Sequence, residues 1–294
     1  MKSIVFLTGL LLCLAFGASA QQKANFVDYD EFRSIIMKSL EEAQATKPFA
    51  SQEVLKERSS KAVESESLGI TDLTKKAGNV LDGPELVTKV KSSVLTICKY
   101  KRGFGAYPDF VLVGATAVVI SEDGLCVSNY HVFEAMINLG QGTSPQDSLS
   151  FVADAKGKTY EIEDVLTYNK DADLAVFKID TRGDKLTPAP IGDDAVVGTQ
   201  VHALTHPDQM LYYYSRGVVA RNVAYDGNPW ANRTEITADY GVGSSGGPIF
   251  DNCGNLVAIV SSTQGIYAQN NQGRDLQMVI KMTVPVSSLK RLLK

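Results

Sequence analysis

Histidine is scarce in this chain of 294 residues: His131, His202 and His206 are all there is, and none follows position 206. That scarcity limits any serine chemistry. In Gly241-Val242-Gly243-Ser244-Ser245-Gly246-Gly247-Pro248, glycines on both sides of a serine permit φ > 0 turns and close substrate approach, as an exposed hydroxyl requires. Gly243-x-Ser245-x-Gly247 fits the nucleophile elbow of α/β hydrolases, but that fold needs a histidine after its serine, so the reading fails. Gly, Ser and Pro are also ordinary turn residues, so the stretch alone is as readily a loop between strands. The order that remains is His, Asp, Ser, which occurs on paired β-barrels.

Long apolar runs are also absent. Residues 4–16 form the longest, too short for the roughly 17–25 residues of a membrane span. Preceded by Met1-Lys2 and followed by Ala18-Ser19-Ala20, the run has the three parts of a secretory signal peptide, with cleavage expected after Ala20 and a secreted or periplasmic destination. Cys13, inside that run, leaves a lipid-modified N-terminus as the alternative. Basic blocks are missing too. The formal charge is −4 with no aromatic-basic stripe, which gives no electrostatic footprint for nucleic acid or anionic membrane. After processing, Cys98, Cys126 and Cys253 allow at most one bridge, and their spacing resembles no zinc motif. No metal or organic cofactor is expected.

Two patterns divide the rest. Residues 28–46 carry Phe32, Ile36 and Leu40 at steps of four, which predicts an amphipathic helix. Residues 47–69 turn to Ser, Glu and Lys and read as a solvated helix or linker. A further helical patch is expected over 70–80, then Asp82-Gly83-Pro84 with Pro84 suited to a first helical turn. From residue 94 the runs are short and β-rich: 94–98, 111–120, 125–129, 148–152, 160–166 and 174–179, then 200–204, 211–219, 234–238, 248–250, 256–261 and 277–283. Two sets of six strands suit two closed antiparallel β-barrels, because closure removes exposed edges. The expected organisation is a mainly β chain: signal peptide 1–20, N-terminal helical extension or propeptide 21–84, a domain over 85–294 divided near 188, and a short C-terminal helix over 287–294.

His131 ends the apolar strand Leu125-Cys126-Val127-Ser128-Asn129, where a side chain can project from a rigid frame. His202 alternates within a strand, and His206 precedes Pro207 in a loop. Between His131 and Ser245, the acid most directly abutting an apolar strand is Asp173, in Asp171-Ala172-Asp173-Leu174-Ala175-Val176; Asp171 lies further into the polar turn.

With Gly114-Ala115-Thr116-Ala117-Val118-Val119-Ile120, these blocks resemble the trypsin-like serine peptidases of chymotrypsin fold, and among them the bacterial branch of HtrA and endopeptidase-like enzymes. The resemblance covers about residues 85–294, with no PDZ-like segment after the barrels. It implies a secreted serine endopeptidase acting through an acyl-enzyme on a protein or peptide substrate: Ser245 as nucleophile, His131 as general base, Asp173 orienting it, and an oxyanion hole at the backbone N–H groups of Gly243 and Ser245. It also implies substrate-binding positions at Asp239, six residues before Ser245, and at Ser261, Ser262 and Thr263. Asp239 would favour Lys or Arg at P1; otherwise it caps the end of the 234–238 strand. One departure stands out: where enzymes activated like trypsin have an Asp just before the nucleophile, this chain has Ser244. Insertion of a newly cut N-terminus is therefore not the expected switch, and the N-terminal segment is either a removable propeptide or a helical cap that stays attached. The rival classes are a catalytically inactive peptide-binding pseudoprotease and an oligomeric chaperone-protease; the oligomeric state is left open.

Overall fold

The computed structural model describes residues 24–294 apart from 25, 104, 107, 138–146, 226 and 271–272. The expected signal peptide, 1–20, lies outside these residues. Strand formation follows the alternation in the sequence. In β7 (Leu174–Asp180), Leu174 and Val176 feed one apolar cluster while Ala175, Phe177 and Ile179 feed another, so every buried side chain has an apolar destination. β2 (Val94–Lys101), β3 (Phe110–Val119), β4 (Leu125–Ser128), β5 (Asp147–Ala153) and β6 (Thr159–Asn169) pair with β7 in the order β6-β5-β2-β3-β4-β7. A β6–β7 pairing closes this set into the first ring. The second is a closed barrel of β8 (Gln200–Thr205), β9 (Tyr213–Val223), β10 (Arg233–Ile236), β11 (Pro248–Phe250), β12 (Leu256–Asn270) and β13 (Gly273–Pro285), ordered β10-β13-β12-β11-β8-β9. The fold is therefore mainly β, with two six-stranded rings. β12 and β13 run well beyond the expected 256–261 and 277–283, because polar residues such as Gln264 and Asp275 hide the strand signal in the hairpin they form.

The helices belong mostly to the N-terminal part. α1 (Tyr29–Thr46) is capped by the Asp28 carboxylate, which accepts from the N–H groups of Asp30 and Glu31, and it buries Phe32, Ile36, Leu40 and Ala43. Residues 47–69, expected as a solvated helix or a linker, do hold a helix, but it is docked rather than solvated. Phe49 and Leu55 are buried, Ser51 caps α2 (Gln52–Ser59), and β1 (Val63–Glu64) pairs in parallel with β6. The helix expected over 70–80 is absent. That stretch runs without regular structure, and its backbone finds tertiary partners instead: Ala77 exchanges hydrogen bonds with the Asn255 side chain, and Leu81 N–H donates to Asn252 O at 2.9 Å. Thr, Asp, Gly and Asn in this stretch lower its helix propensity, and the neighbouring partners outweigh what remains. α3 (Gly83–Val90) starts where Pro84 predicts, with a capping box between Asp82 and Glu85.

One apolar cluster joins the rings. It contains Val118 and Val176 from the first, Leu204 and Phe250 from the second, and Leu289 and Leu293 of α5 (Val286–Leu293), the C-terminal helix. α4 (Tyr130–Ile137) leaves β4 at the seam between the rings and buries Phe133 against Phe177.

Candidate active site

Three chain segments meet at the seam. His131 lies in the first turn of α4, just past β4. Asp173 sits in the turn between β6 and β7 with φ 54°, in the left-handed region that Asp tolerates better than most residues. The turn is fixed by Asp173 N–H donating to Lys170 O at 3.0 Å and by Asn129 Nδ2 donating to Asp173 O at 2.8 Å. Ser245 lies in the loop before β11, whose geometry depends on glycine. A Cβ on Gly246 (φ 77°) would stand 1.9 Å from Ser128 Oγ, and one on Gly243 (φ 93°) would stand 2.6 Å from His206 O.

The structure brings the three sequence-predicted side chains together. His131 Nε2 lies 2.9 Å from Ser245 Oγ, and His131 Nδ1 lies 3.0 Å from both oxygens of Asp173. The carboxylate also accepts the His131 backbone N–H at 3.1 Å and the Ser261 hydroxyl at 2.8 Å. With both oxygens turned to the ring it orders the imidazole: Nδ1 carries the hydrogen donated to Asp173, and Nε2 is left to accept from Ser245. The hydrogen bond to Asp173 also raises the His131 pKa above its ordinary 6.5, although burial opposes the shift. Asp171 plays no part in this cluster; its carboxylate accepts from Asn228 at 2.8 Å.

Among the described residues, neither the Gly243 N–H nor the Ser245 N–H has a hydrogen-bond partner. The rest of the loop is tightly bound. Ser245 O accepts from Thr116 N–H at 2.9 Å, Gly243 O from the Thr116 hydroxyl at 3.0 Å, and the Ser244 hydroxyl donates to Thr205 Oγ1 at 2.9 Å. Ser244, which stands where a trypsin-like activation would need an acid, is a buried structural tie. Thr116 spends its one hydrogen on Gly243 O, so at the 3.0 Å contact with His206 Nδ1 it accepts, and that fixes the His206 tautomer. Burial lowers the His206 pKa to about 3, so this ring is neutral. Sequence reasoning passed over both residues. The only available signal was His206 within a strand-to-loop transition that also holds Pro207.

The expected substrate-binding positions fare differently. Asp239 does not form a buried floor for a basic side chain: its carboxylate is 71% exposed and 2.7 Å from Lys281 Nζ, which holds its pKa below the ordinary value. The reason is the long β13, which carries Lys281 alongside. Tyr240 is the buried neighbour, and its hydroxyl lies within donating distance of two carbonyls, 2.9 Å from Ser262 O and 2.7 Å from Met282 O. Ser261 turns its hydroxyl to Asp173 rather than to a pocket, while Ser262 and Thr263 are exposed. No group of His, Cys, Asp and Glu that could hold a metal ion occurs among the described residues.

Residues 115–259 match the family described as the trypsin-like peptidase domain. The chain carries a trypsin-like peptidase domain. This domain is similar to two chloroplastic proteins of Arabidopsis thaliana. Protease Do-like 1 is 31% identical over 148 residues, which are 48% of this chain and 31% of that protein. Protease Do-like 5 is 29% identical over 175 residues, 57% of this chain and 52% of that one. The chain thus spans about half or less of the length of the curated relatives it matches. A solved structure of the HtrA-type protease AlgW with a decapeptide shares the peptidase fold, at a TM-score of 0.56 and 18% identity over 72% of this chain and 66% of that one.

Proposed function

We propose that this chain is a serine endopeptidase that hydrolyses peptide bonds of a protein or peptide substrate through an acyl-enzyme. The observation that carries the reading is the unbroken relay from Ser245 Oγ through the two ring nitrogens of His131 to Asp173, at 2.9 and 3.0 Å, beside two unpartnered backbone N–H groups. In this reading His131 Nε2 takes the Ser245 proton as Oγ attacks the scissile carbonyl and then passes it to the leaving amine. Asp173 stays ionised, holds the imidazole tautomer and stabilises the imidazolium. The Gly243 and Ser245 N–H groups receive the oxyanion; losing one such donor costs about 2.7–4 kcal/mol of barrier in comparable sites. A water molecule, deprotonated by the same histidine, then releases the acyl group.

The Asp239–Lys281 pair neutralises the acid that would select Lys or Arg, so the enzyme is not specific for basic residues at P1. Residues 1–20 act as a signal peptide and send the protein out of the cytoplasm. Mass spectrometry of the secreted protein finds a start near Gln21; retention of residues 1–20 removes that part of the proposal.

The deciding experiment is covalent labelling by a fluorophosphonate probe, together with cleavage of a casein substrate. Both activities are expected in the wild type and absent in Ser245→Ala, with kcat lower by about 10⁴–10⁶ as for other serine nucleophiles. Labelling that persists in Ser245→Ala would sink the assignment, and a wild type that neither labels nor cleaves would leave the peptide-binding pseudoprotease as the better reading.

A further inference from the structure

The loop of residues 206–212 lies directly under the oxyanion segment. Asp208 N–H donates to Val242 O at 2.6 Å, and the backbone at His206 and Asp208 crowds the position a Gly243 Cβ would take. The orientation of the Val242–Gly243 peptide, and with it the Gly243 N–H, therefore depends on where this loop sits. Yet the loop is strained: Asp208, Gln209 and Tyr212, none of them glycine, have φ of 46°, 63° and 56°. Left-handed residues of this kind persist only where their surroundings over-determine them.

Much of that surrounding structure comes from α1. Arg33 donates to Gln209 O at 3.1 Å, and Phe32 meets Tyr212 edge to face at 6.3 Å between centroids. Tyr212 is also packed by His206 at 4.7 Å and by Lys91 Nζ at 4.6 Å over its ring. The other end of α1 is fastened to the first ring, where Ser39 bonds Thr159 and Arg182 donates to Lys47 O at 2.7 Å. The helix is a strap from the first ring to the one strained loop of the second that touches the oxyanion segment.

We propose that α1 is a positioning element for catalysis: Phe32 and Arg33, through Tyr212 and Gln209, hold the 206–212 loop so that the Gly243 N–H is set to receive the oxyanion. The inference rests on the serine endopeptidase reading and adds its means of activation. Where Ser244 removes the acid that a newly cut N-terminus would need, α1 supplies the order from outside, and the N-terminal extension stays on the working enzyme.

The test compares Phe32→Ala and Arg33→Ala with Leu40→Ala, which loosens the same helix at a buried site away from the loop. Phe32→Ala and Arg33→Ala are expected to lower kcat about tenfold each, short of the 10²–10³ of losing a donor outright, with KM within about twofold. Affinity for a peptide aldehyde, whose hemiacetal oxygen occupies the oxyanion position, falls by the same factor as kcat. Phe32→Tyr, which keeps the ring, restores both. Leu40→Ala loses thermal stability but keeps kcat. Arg33 is partly exposed and outside the apolar core, so Arg33→Ala carries the test even if Phe32→Ala does not fold. If both variants lose no more kcat than Leu40→Ala, the positioning role is wrong while the peptidase reading stands. If the wild type itself neither labels nor cleaves, both fall together.

Discussion

The two rings bring their parts of the site to the seam in different ways. The first places His131 and Asp173 on elements whose backbone is fixed by sheet register: one follows β4, the other lies between β6 and β7, and β4 and β7 are paired to each other. The second places Ser245 on a loop with two left-handed glycines, next to another loop with three left-handed non-glycine residues. The first half is tied mostly within itself, with one bond from the second ring, the Ser261 hydroxyl to Asp173; the second is held by groups from elsewhere, Thr116 of β3 and Phe32 and Arg33 of α1. His131 and Asp173 can sit at the ends of regular elements, in a first helical turn and in the turn before β7, because each needs only one direction of projection. An oxyanion site needs two nearby N–H groups left unpaired, here those on either side of the bonded Ser244 N–H, and a backbone in that state requires ties from outside.

The largest expected effect is on the first half. Asp173→Asn removes the acceptor that fixes the His131 tautomer, and steady-state kinetics should show kcat lower by about 10⁴ with little change in fold. A loss of tenfold or less would mean that the tautomer is held by something other than this carboxylate. Gly243→Ala tests the borrowed half: its Cβ, 2.6 Å from His206 O at φ 93°, forces the segment to move, and kcat is expected to drop about 10²–10³. An unchanged kcat would show that the segment adapts freely and that the contrast between the rings is overstated.

Thr116→Val sharpens the same contrast with less disturbance. It keeps the side-chain volume but strips Gly243 O and His206 Nδ1 of their partner, which by itself costs about 1–3 kcal/mol per group in denaturant unfolding. Its kcat should fall about tenfold, less than for Gly243→Ala, because the Thr116 N–H still holds Ser245 O.

The smallest effect is in the pH profile. Because Asp173 favours the charged imidazole, His131 titrates above 6.5, and activity, which needs the neutral base, rises with pH only as it passes that raised value. The stability from the same contact is fully present below 6.5 and is lost as pH rises through the folded-state pKa. In Asp173→Asn the acid limb of the residual activity moves to lower pH. His206 has the opposite linkage: between about 6.5 and about 3 the unfolded chain takes up a proton that the buried ring refuses, so stability is lost as pH drops through that window. An acid limb that stays in place when Asp173 is replaced would assign it to another group.

Much was legible along the chain because the signals were local. Alternating apolar residues announce the strands, Asp82 and Pro84 the start of α3, and the order His131, Asp173, Ser245 with three histidines in total leaves few arrangements open. What stayed illegible was local pattern without its partner: residues 70–80 read as a helix, but the Asn255 side chain binds the Ala77 backbone there, and Asp239 read either as a pocket acid or as a strand cap, with nothing nearby in the chain to show that Lys281 pairs with it.

Local propensity and the spacing of polar and apolar residues depend only on neighbours along the chain, and they were enough to mark out the two sets of strands and to single out His131, Asp173 and Ser245 as candidates. The tertiary structure alone decided which backbone groups at the seam remain unpaired, where the Ser261 hydroxyl points, and that α1 reaches across to Tyr212 and Gln209. These are contacts between segments up to 180 residues apart, and their geometry is set only when both rings have closed and the chain between them has been packed.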